Sequence, residues 1–156
     1  MRKLLPLMLP LLAACDAADE ESKCGPRDVV VMRVIDGDTV ELQDGTRVRY
    51  LLVDTPEVSG GAECWGPEAQ EFNRSLVEGK AVTLSYDEAE CTDNFGRTLA
   101  FVDVDGRDVN ALLLERGHAE VLYIPPGGED RLDDYRALES EAMAKGAGQW
   151  GACTEE

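Results

Sequence analysis

Short runs of β-branched and other apolar residues mark the chain from residue 28 onward as rich in strands. Three such runs come first: DVVVMRVI (28–35), TVELQ (39–43) and TRVRYLLV (46–53), and in the last two apolar and polar residues alternate. Two more follow later in the chain, AVTLSYD (81–87) and RTLAFVDV (97–104). Because such residues fit a half-buried pleated surface, the pattern predicts five strands.

Turn and helix signals separate these strands. Asp44-Gly45 is a two-residue hairpin turn between the second and third strands. The segment 66–80 has an apolar stripe at helical spacing and is predicted as a helix that ends at Gly79. Two further helices are predicted over 109–117 and 129–146. The order is therefore three strands, a helix, two strands and then two helices.

This order of elements is typical of a small closed barrel. Five short strands with one helix inserted and two appended predict an α+β, β-rich fold, namely a five-stranded OB-fold barrel with three helices. We place the folded domain at 28–153. The preceding segment 15–27 is predicted to be an acidic tether, because its sequence DAADEESK contains no large apolar residue.

The first residues have the composition of an export signal. A short basic start, MRK, precedes LLPLMLPLLAA, an apolar run too short to span a bilayer. The sequence LAAC resembles the bacterial lipoprotein signal, in which the cysteine is lipidated and becomes the first residue. We therefore predict a lipoprotein signal peptide at 1–14 and lipidation of Cys15. This implies an exported protein, anchored by lipid to a membrane of the bacterial cell envelope. An ordinary signal peptide cleaved elsewhere is the alternative.

The charge balance is strongly acidic. The 15 basic and 32 acidic side chains give a net charge of −17, which becomes −19 once Arg2 and Lys3 leave with the signal peptide. Such a surface favours solubility and repels polyanions, so non-specific binding to nucleic acid is excluded.

Export makes disulfide bonds possible. If Cys15 carries lipid, four cysteines remain, and four cysteines allow three pairings. We predict Cys24–Cys153, because these two residues bracket the domain, and Cys64–Cys91 by exclusion. A structural metal site is the rival interpretation, but the chain has no CxxC motif and only one histidine.

Two acidic clusters follow apolar strands. Asp36-Gly37-Asp38 separates the first two strands, and VDTPE places Asp54, Thr55 and Glu57 directly after the third. Asp-Gly pairs are commonly simple turns, and that interpretation suffices for Asp36-Gly37 taken alone. Two acid-bearing strand ends in so small a barrel are expected to converge, however. Carboxylates and a backbone carbonyl then suit a hard cation such as Ca²⁺.

Arginines accompany these acids. Arg47 and Arg49 share one face of the third strand, and Arg97 begins the fifth. Solvated arginines at strand edges are common. The alternative is a pair of guanidinium groups that bind the oxygens of one phosphate.

The motifs VIDGDTVEL, RYLLVDTPE, GPEAQEF, TDNFGRTLAFV and VNALLLERGHAEV occur in an order that resembles staphylococcal nuclease and its relatives, the thermonucleases. The resemblance covers roughly residues 29–150. It implies an OB-fold barrel with three helices and a calcium-dependent phosphodiesterase that cuts DNA and RNA.

The resemblance also implies roles for the acids. Asp38 and Asp54 correspond to the calcium carboxylates, and Thr55 corresponds to the ligand that binds through its carbonyl. Glu57 corresponds to the residue that orients or deprotonates the attacking water. Asp36, next to the metal pair, is expected to support these ligands.

Arg49 and Arg97 correspond to the family's two phosphate-binding arginines. Phe95 and Tyr123 fall at positions that contact substrate, with Phe95 in place of a tyrosine. Pro125 stands where a second base-stacking tyrosine is expected, so weaker substrate binding is predicted.

The function predicted from the sequence is a Ca²⁺-dependent nuclease that acts as a monomer on DNA and RNA and prefers single strands. The alternative is a non-catalytic OB-fold binding module of the cell envelope. The complete set of acidic and arginine site residues favours the enzyme.

Overall fold

The structure is a computed structural model that describes residues 22–153. The strands are β1 (Asp28–Asp36), β2 (Thr39–Leu42), β3 (Arg47–Tyr50), β4 (Val53–Asp54), β5 (Ala81–Ser85), β6 (Thr98–Val104), β7 (Arg107–Asp108) and β8 (Glu120–Val121). The helices are α1 (Gly66–Val77), α2 (Val109–Glu115), α3 (Leu132–Lys145) and α4 (Gln149–Ala152), with a 3-10 turn at Glu129–Arg131. The signal peptide predicted at 1–14 and the lipidation site Cys15 lie outside the described residues.

Five strands close into the predicted barrel. Their order is β3-β2-β1-β5-β6, and β6 returns to pair with β3. The closing pair is parallel, with Val48 opposite Thr98, whereas the other pairs in the ring are antiparallel. The apolar side chains that point inward fill the interior of the barrel, where Val31, Val40 and Val102 are completely buried. The five-stranded OB-fold barrel and its α+β class are therefore confirmed.

The segment 46–53, predicted as one strand, is broken in the structure. Leu52 has a φ of 63°, so the chain leaves the barrel there, and β4 pairs with β8 instead. Arg49 holds this bend, because its Nη1 donates to the carbonyls of Tyr50 at 2.7 Å and Val53 at 2.6 Å. An alternating apolar pattern does not reveal such a bend, because the bend depends on hydrogen bonds from the Arg49 side chain to nearby backbone carbonyls.

The C-terminal region contains one helix more than predicted. After α3, the chain forms α4, whose first N–H donates to the carbonyl of Gly117 at 2.9 Å. Four residues are too few to display a helical period, so the sequence pattern does not detect this element. Among residues 22–153, no helix has the length and apolar character needed to cross a membrane.

The segment 22–27 contacts the barrel, although it falls within the predicted tether. The Leu84 N–H donates to the carbonyl of Arg27 at 2.7 Å, and the Tyr86 hydroxyl donates to the carbonyl of Pro26. The contacts of the domain thus extend several residues before β1.

Both predicted disulfides were wrong. The structure pairs Cys24 with Cys91 and Cys64 with Cys153. The N-terminal segment runs beside β5 and its continuation, because β1 pairs with β5, and this places Cys24 next to Cys91. The C-terminal residues instead pack near α2 and the start of α1, where Cys64 lies. The two ends of the domain therefore lie against different elements and are not joined to each other.

The only histidine of the chain, His118, stacks on two aromatic rings. Its ring centroid lies 4.3 Å from that of Phe72 and 6.0 Å from that of Trp65. Its Nδ1 accepts a hydrogen bond of 3.0 Å from the Trp65 indole N–H. Burial, followed by the charge of Arg116, lowers the pKa of His118 from 6.5 to about 4. The folded protein therefore holds this imidazole neutral.

We expect His118 to make the fold sensitive to acid. The unfolded chain binds a proton at the ordinary histidine pKa of 6.5, whereas the folded chain binds it only near 4. Its contribution to the free energy of unfolding is thus complete above pH 6.5 and is lost as the pH falls towards 4. His118→Gln keeps an acceptor for Trp65 but does not titrate. Urea unfolding at about pH 7 and about pH 4.5 should show a smaller acid loss in this variant than in the wild type. Equal losses in the two proteins would contradict the prediction.

Candidate active site

The two acidic clusters are in direct contact. Asp38 is 5% exposed, and its Oδ2 accepts the backbone N–H of Thr55 at 2.9 Å. Its Oδ1 accepts the hydroxyl of Thr39 at 2.9 Å. Gly37 faces the Thr55 side chain so closely that an added Cβ would lie 2.6 Å from Oγ1. The glycine between Asp36 and Asp38 therefore allows the turn after β1 to pack against the end of β4.

Arg49 lies between the two predicted metal carboxylates. Its Nη2 is 3.2 Å from Asp38 Oδ2 and 2.8 Å from Asp54 Oδ1. The Arg49 side chain is 11% exposed, whereas that of Asp54 is 51% exposed and faces solvent. Because both carboxylates approach the same nitrogen, their oxygens converge on one point at the surface of the barrel.

Negative charge is concentrated in this region. Burial, followed by the charge of Asp38, raises the pKa of Asp36 to about 7. Burial also raises the pKa of Asp54, although the guanidinium of Arg49 acts in the opposite direction. Within the described part of the chain, no group of three or more His, Cys, Asp or Glu side chains is arranged to hold a metal ion. The predicted ligand set contains two carboxylates, with the Thr55 carbonyl as its third member.

Glu57 and Arg97 line one open depression, together with Arg47. Arg97 is held by Asp93, whose Oδ2 accepts its Nε–H at 2.6 Å. The other carboxylate oxygen of Asp93 accepts the backbone N–H groups of Phe95 and Arg97, each at 2.9 Å. The hairpin before β6 is thus folded around Asp93, and it presents Arg97 towards Glu57.

A cavity of about 220 Å³ joins the two arginines. Arg49 and Arg97 both line it, and apolar side chains that include Phe95 and Ile124 form much of its remaining wall. The Phe95 ring is 85% exposed and lies 5.4 Å from the Arg97 guanidinium carbon. Tyr123 does not line the cavity. It is half-buried against the core, whereas the residues on either side of it reach the cavity wall.

Comparisons with known proteins agree with this geometry. A family described as staphylococcal nuclease homologue matches residues 47–152. The chain is 37% identical to endonuclease YncB of Bacillus subtilis over 79% of its own length and 61% of that protein. It is 35% identical to the SPbeta prophage-derived endonuclease YokF of the same organism, over 79% and 44% of the two lengths. Thermonuclease of Staphylococcus intermedius is 37% identical over 73% of this chain and 68% of that protein. The chain belongs to the staphylococcal nuclease family. It spans less than two thirds of either Bacillus subtilis protein.

The staphylococcal nuclease fold of this chain brings most of the predicted site residues to one surface. Asp38 and Asp54 meet at Arg49, Thr55 contacts Asp38, and Glu57 and Arg97 share one depression. Phe95 is exposed beside Arg97 in the cavity lining, whereas Tyr123, the other residue predicted to contact substrate, does not line the cavity.

Sequence reasoning missed residues that support this site. Asn73 is completely buried on α1, donates to the Asp36 carbonyl at 3.2 Å and accepts the Tyr50 hydroxyl at 2.9 Å. The sequence did contain an indication of this supporting role, because Asn73 lies in the apolar stripe between Ala69 and Leu76. A polar residue in that position must find partners when it is buried. Asp93 gave no comparable signal, because Asp is ordinary in a turn.

Proposed function

We propose that this protein is a Ca²⁺-dependent nuclease that hydrolyses phosphodiester bonds in DNA and RNA. The observation that carries the proposal is the convergence of Asp38 and Asp54 on Arg49. Arg49 shares a cavity with Arg97, and Arg97 shares a depression with Glu57. Phosphodiester hydrolysis needs an aimed water, a cation near a phosphoryl oxygen and positive charge where negative charge develops. The relatives are named endonuclease or thermonuclease, which supports the same reaction.

The acidic residues fit a hard cation. Asp38 and Asp54 direct oxygens at one guanidinium nitrogen, and Thr55 lies against Asp38. Calcium prefers such oxygen ligands, and we propose these two carboxylates and the Thr55 carbonyl as the protein ligands. Burial and the charge of Asp38 raise the pKa of Asp36 to about 7, so a divalent cation beside these carboxylates would offset part of their repulsion. When bound, the cation would stabilise negative charge on the phosphate.

Glu57 is the proposed base. It is exposed in the same depression as Arg97, so a water beside a phosphate held by Arg97 is within its reach. We propose that its carboxylate orients this water and accepts its proton. His118 is stacked between Trp65 and Phe72 and does not line this depression, which leaves a carboxylate for the role.

Arg49 and Arg97 are the proposed phosphate contacts. Both arginines line the same cavity. Planar guanidinium groups match phosphate oxygens in pairs, and they stabilise the charge that builds during in-line displacement. A cation at Asp38 and Asp54 competes with the Nη2 of Arg49 for the same oxygens, which would free this group for phosphate.

The surroundings favour single strands and weak capture of long polymers. The exposed Phe95 ring offers a face on which one unpaired base can stack, a contact worth about 1–3 kcal/mol. The net charge of −17 repels polyanions, although this repulsion is screened beyond about 8 Å at physiological salt. We therefore expect a high KM for long nucleic acids.

We further propose that the protein is a monomeric lipoprotein of the bacterial cell envelope, anchored through Cys15. The LAAC sequence after a short apolar leader supports this location. The two disulfides agree with it, because such bonds persist in oxidising compartments outside the cytosol.

Digestion of single-stranded DNA in Ca²⁺ or in EDTA tests the proposal. The protein should cut with calcium and not with the chelator. Asp54→Ala should raise the half-activating calcium concentration about tenfold or more, because the ligand set loses a charge. Asp133→Ala, whose side chain is 99% exposed on α3, removes the same charge away from the site and should change nothing.

Equal digestion in EDTA would overturn the calcium dependence. Binding of single-stranded DNA without hydrolysis in calcium would instead support the alternative, a non-catalytic OB-fold module.

A further inference from the structure

Glu63 holds both backbone polar groups of Glu57. The Glu57 N–H donates to the Glu63 carboxylate at 2.9 Å, and the Glu63 N–H donates to the Glu57 carbonyl at 2.9 Å. The two residues are six positions apart, and these two bonds close the loop between them. The backbone of the proposed base is therefore fixed by one other residue.

The loop that Glu63 closes has few contacts of its own. Its residues 58–62 read VSGGA, and from Ser59 to Ala62 all are exposed. Gly60 and Gly61 have φ angles of 81° and 117°, a region that only glycine adopts readily. Because the loop has no large apolar side chain to anchor it, the position of Glu57 depends on the contacts at the two ends of the loop.

Glu63 is itself held by the fold. Its carbonyl accepts the N–H of Gly66 at the start of α1 at 3.0 Å, and the next residue, Cys64, is bonded to Cys153. The start of α1 also packs directly on Glu57, since a Cβ added at Gly66 would lie 2.5 Å from the Glu57 carbonyl oxygen. Helix α1, the disulfide and the C-terminal residues thus form the support on which Glu63 positions Glu57.

We propose that Glu63 is a positioning residue for Glu57, and that the Cys64–Cys153 disulfide anchors it. The proposal rests on the proposed function, in which Glu57 handles the attacking water. Glu63 acts because its carboxylate oxygen accepts a hydrogen bond from the Glu57 N–H, not because of its charge. Its removal allows the loop 58–62 to move, so Glu57 spends less time beside the phosphate held by Arg97.

The test compares kcat and KM for wild type, Glu63→Ala and Glu63→Gln on single-stranded DNA at saturating calcium. Glu63→Ala should lower kcat about 10–100-fold, the range for residues that orient functional groups, with little change in KM. Glu63→Gln keeps an acceptor oxygen and should remain near the wild-type kcat. Glu141→Ala, an exposed site on α3, controls for the loss of one negative charge. Equal kcat losses in the alanine and glutamine variants would overturn the role of the hydrogen bond.

Two further measurements separate this proposal from the proposed function. In a Glu57→Ala background, Glu63→Ala should cause no additional loss of kcat, because it acts only through Glu57. A full additional loss would overturn the positioning role. Amide hydrogen exchange at Glu57 should become faster in Glu63→Ala, and unchanged exchange would also overturn it. A Glu57→Ala variant with wild-type kcat would instead overturn the proposed base.

Discussion

Replacement of Arg97 by alanine is expected to lower kcat about 10²–10³-fold, the usual cost of removing one group that stabilises developing charge. Arg97 is suited to such a role because it lines both the cavity with Arg49 and the depression with Glu57. The fold should persist. The Arg97 side chain is 30% exposed, so its ion pair with Asp93 contributes about 0–1 kcal/mol to stability. In the variant, Asp93 still accepts hydrogen bonds from the two backbone N–H groups that hold the turn.

Steady-state digestion of single-stranded DNA and a thermal unfolding curve together check this expectation. Arg97→Lys retains the charge but not the planar fork, and it should fall between wild type and alanine in kcat. Arg136→Ala removes an arginine whose side chain is 57% exposed on α3, and it should match wild type. A wild-type kcat in Arg97→Ala would show that the arginine does not contact the reacting phosphate.

Substitution of Gly37 by alanine is expected to reduce the stability of the fold and to weaken the proposed calcium site. The added Cβ would lie 2.6 Å from Oγ1 and 2.7 Å from Cβ of Thr55, and the β-branched threonine is pinned by its N–H bond to Asp38. Overpacking of this kind costs about 1–3 kcal/mol. To relieve it, the turn after β1 must move away from the end of β4, which separates Asp38 from Asp54.

Urea unfolding and the half-activating calcium concentration measure the two effects of Gly37→Ala. Gly127→Ala is the matched control, because an added Cβ there meets the flexible tip of Leu51 at 3.2 Å and the Ile124 carbonyl oxygen only at 3.8 Å. Gly127→Ala should change neither the free energy of unfolding nor the half-activating calcium concentration by much. Unchanged unfolding and an unchanged calcium requirement in Gly37→Ala would contradict the close packing of the two acidic segments.

The arrangement of the two proposed calcium carboxylates could be predicted from the sequence only in part. Asp38 and Asp54 were predictable, because each is an acid directly after an apolar strand and both belong to recognisable motifs. Their bridging by Arg49 was not, since it needs the bend at Leu52, which brings Asp54 back towards the barrel. The bend is stabilised by hydrogen bonds from a side chain, and these leave no trace in hydrophobic periodicity.

The disulfides were likewise predictable from the sequence only in part. The cysteine count correctly indicated that two bonds could form, but the assumption that the ends of the domain meet was wrong. Strand β1 lies beside β5, so the N-terminal segment follows β5 towards Cys91. The path of the chain in the closed barrel determines which cysteines lie next to each other, and their positions along the sequence do not.

Local sequence patterns were enough to predict the fold class, the five barrel strands, the main helices and the residue types of the candidate site. These depend on local propensity and on the alternation of apolar side chains, which are properties of short segments. The three-dimensional arrangement was needed to establish the break at Leu52, helix α4, the cysteine partners, and the contacts of Gly37 and Glu63. Each of these depends on atoms brought together by barrel closure from segments that no local pattern connects.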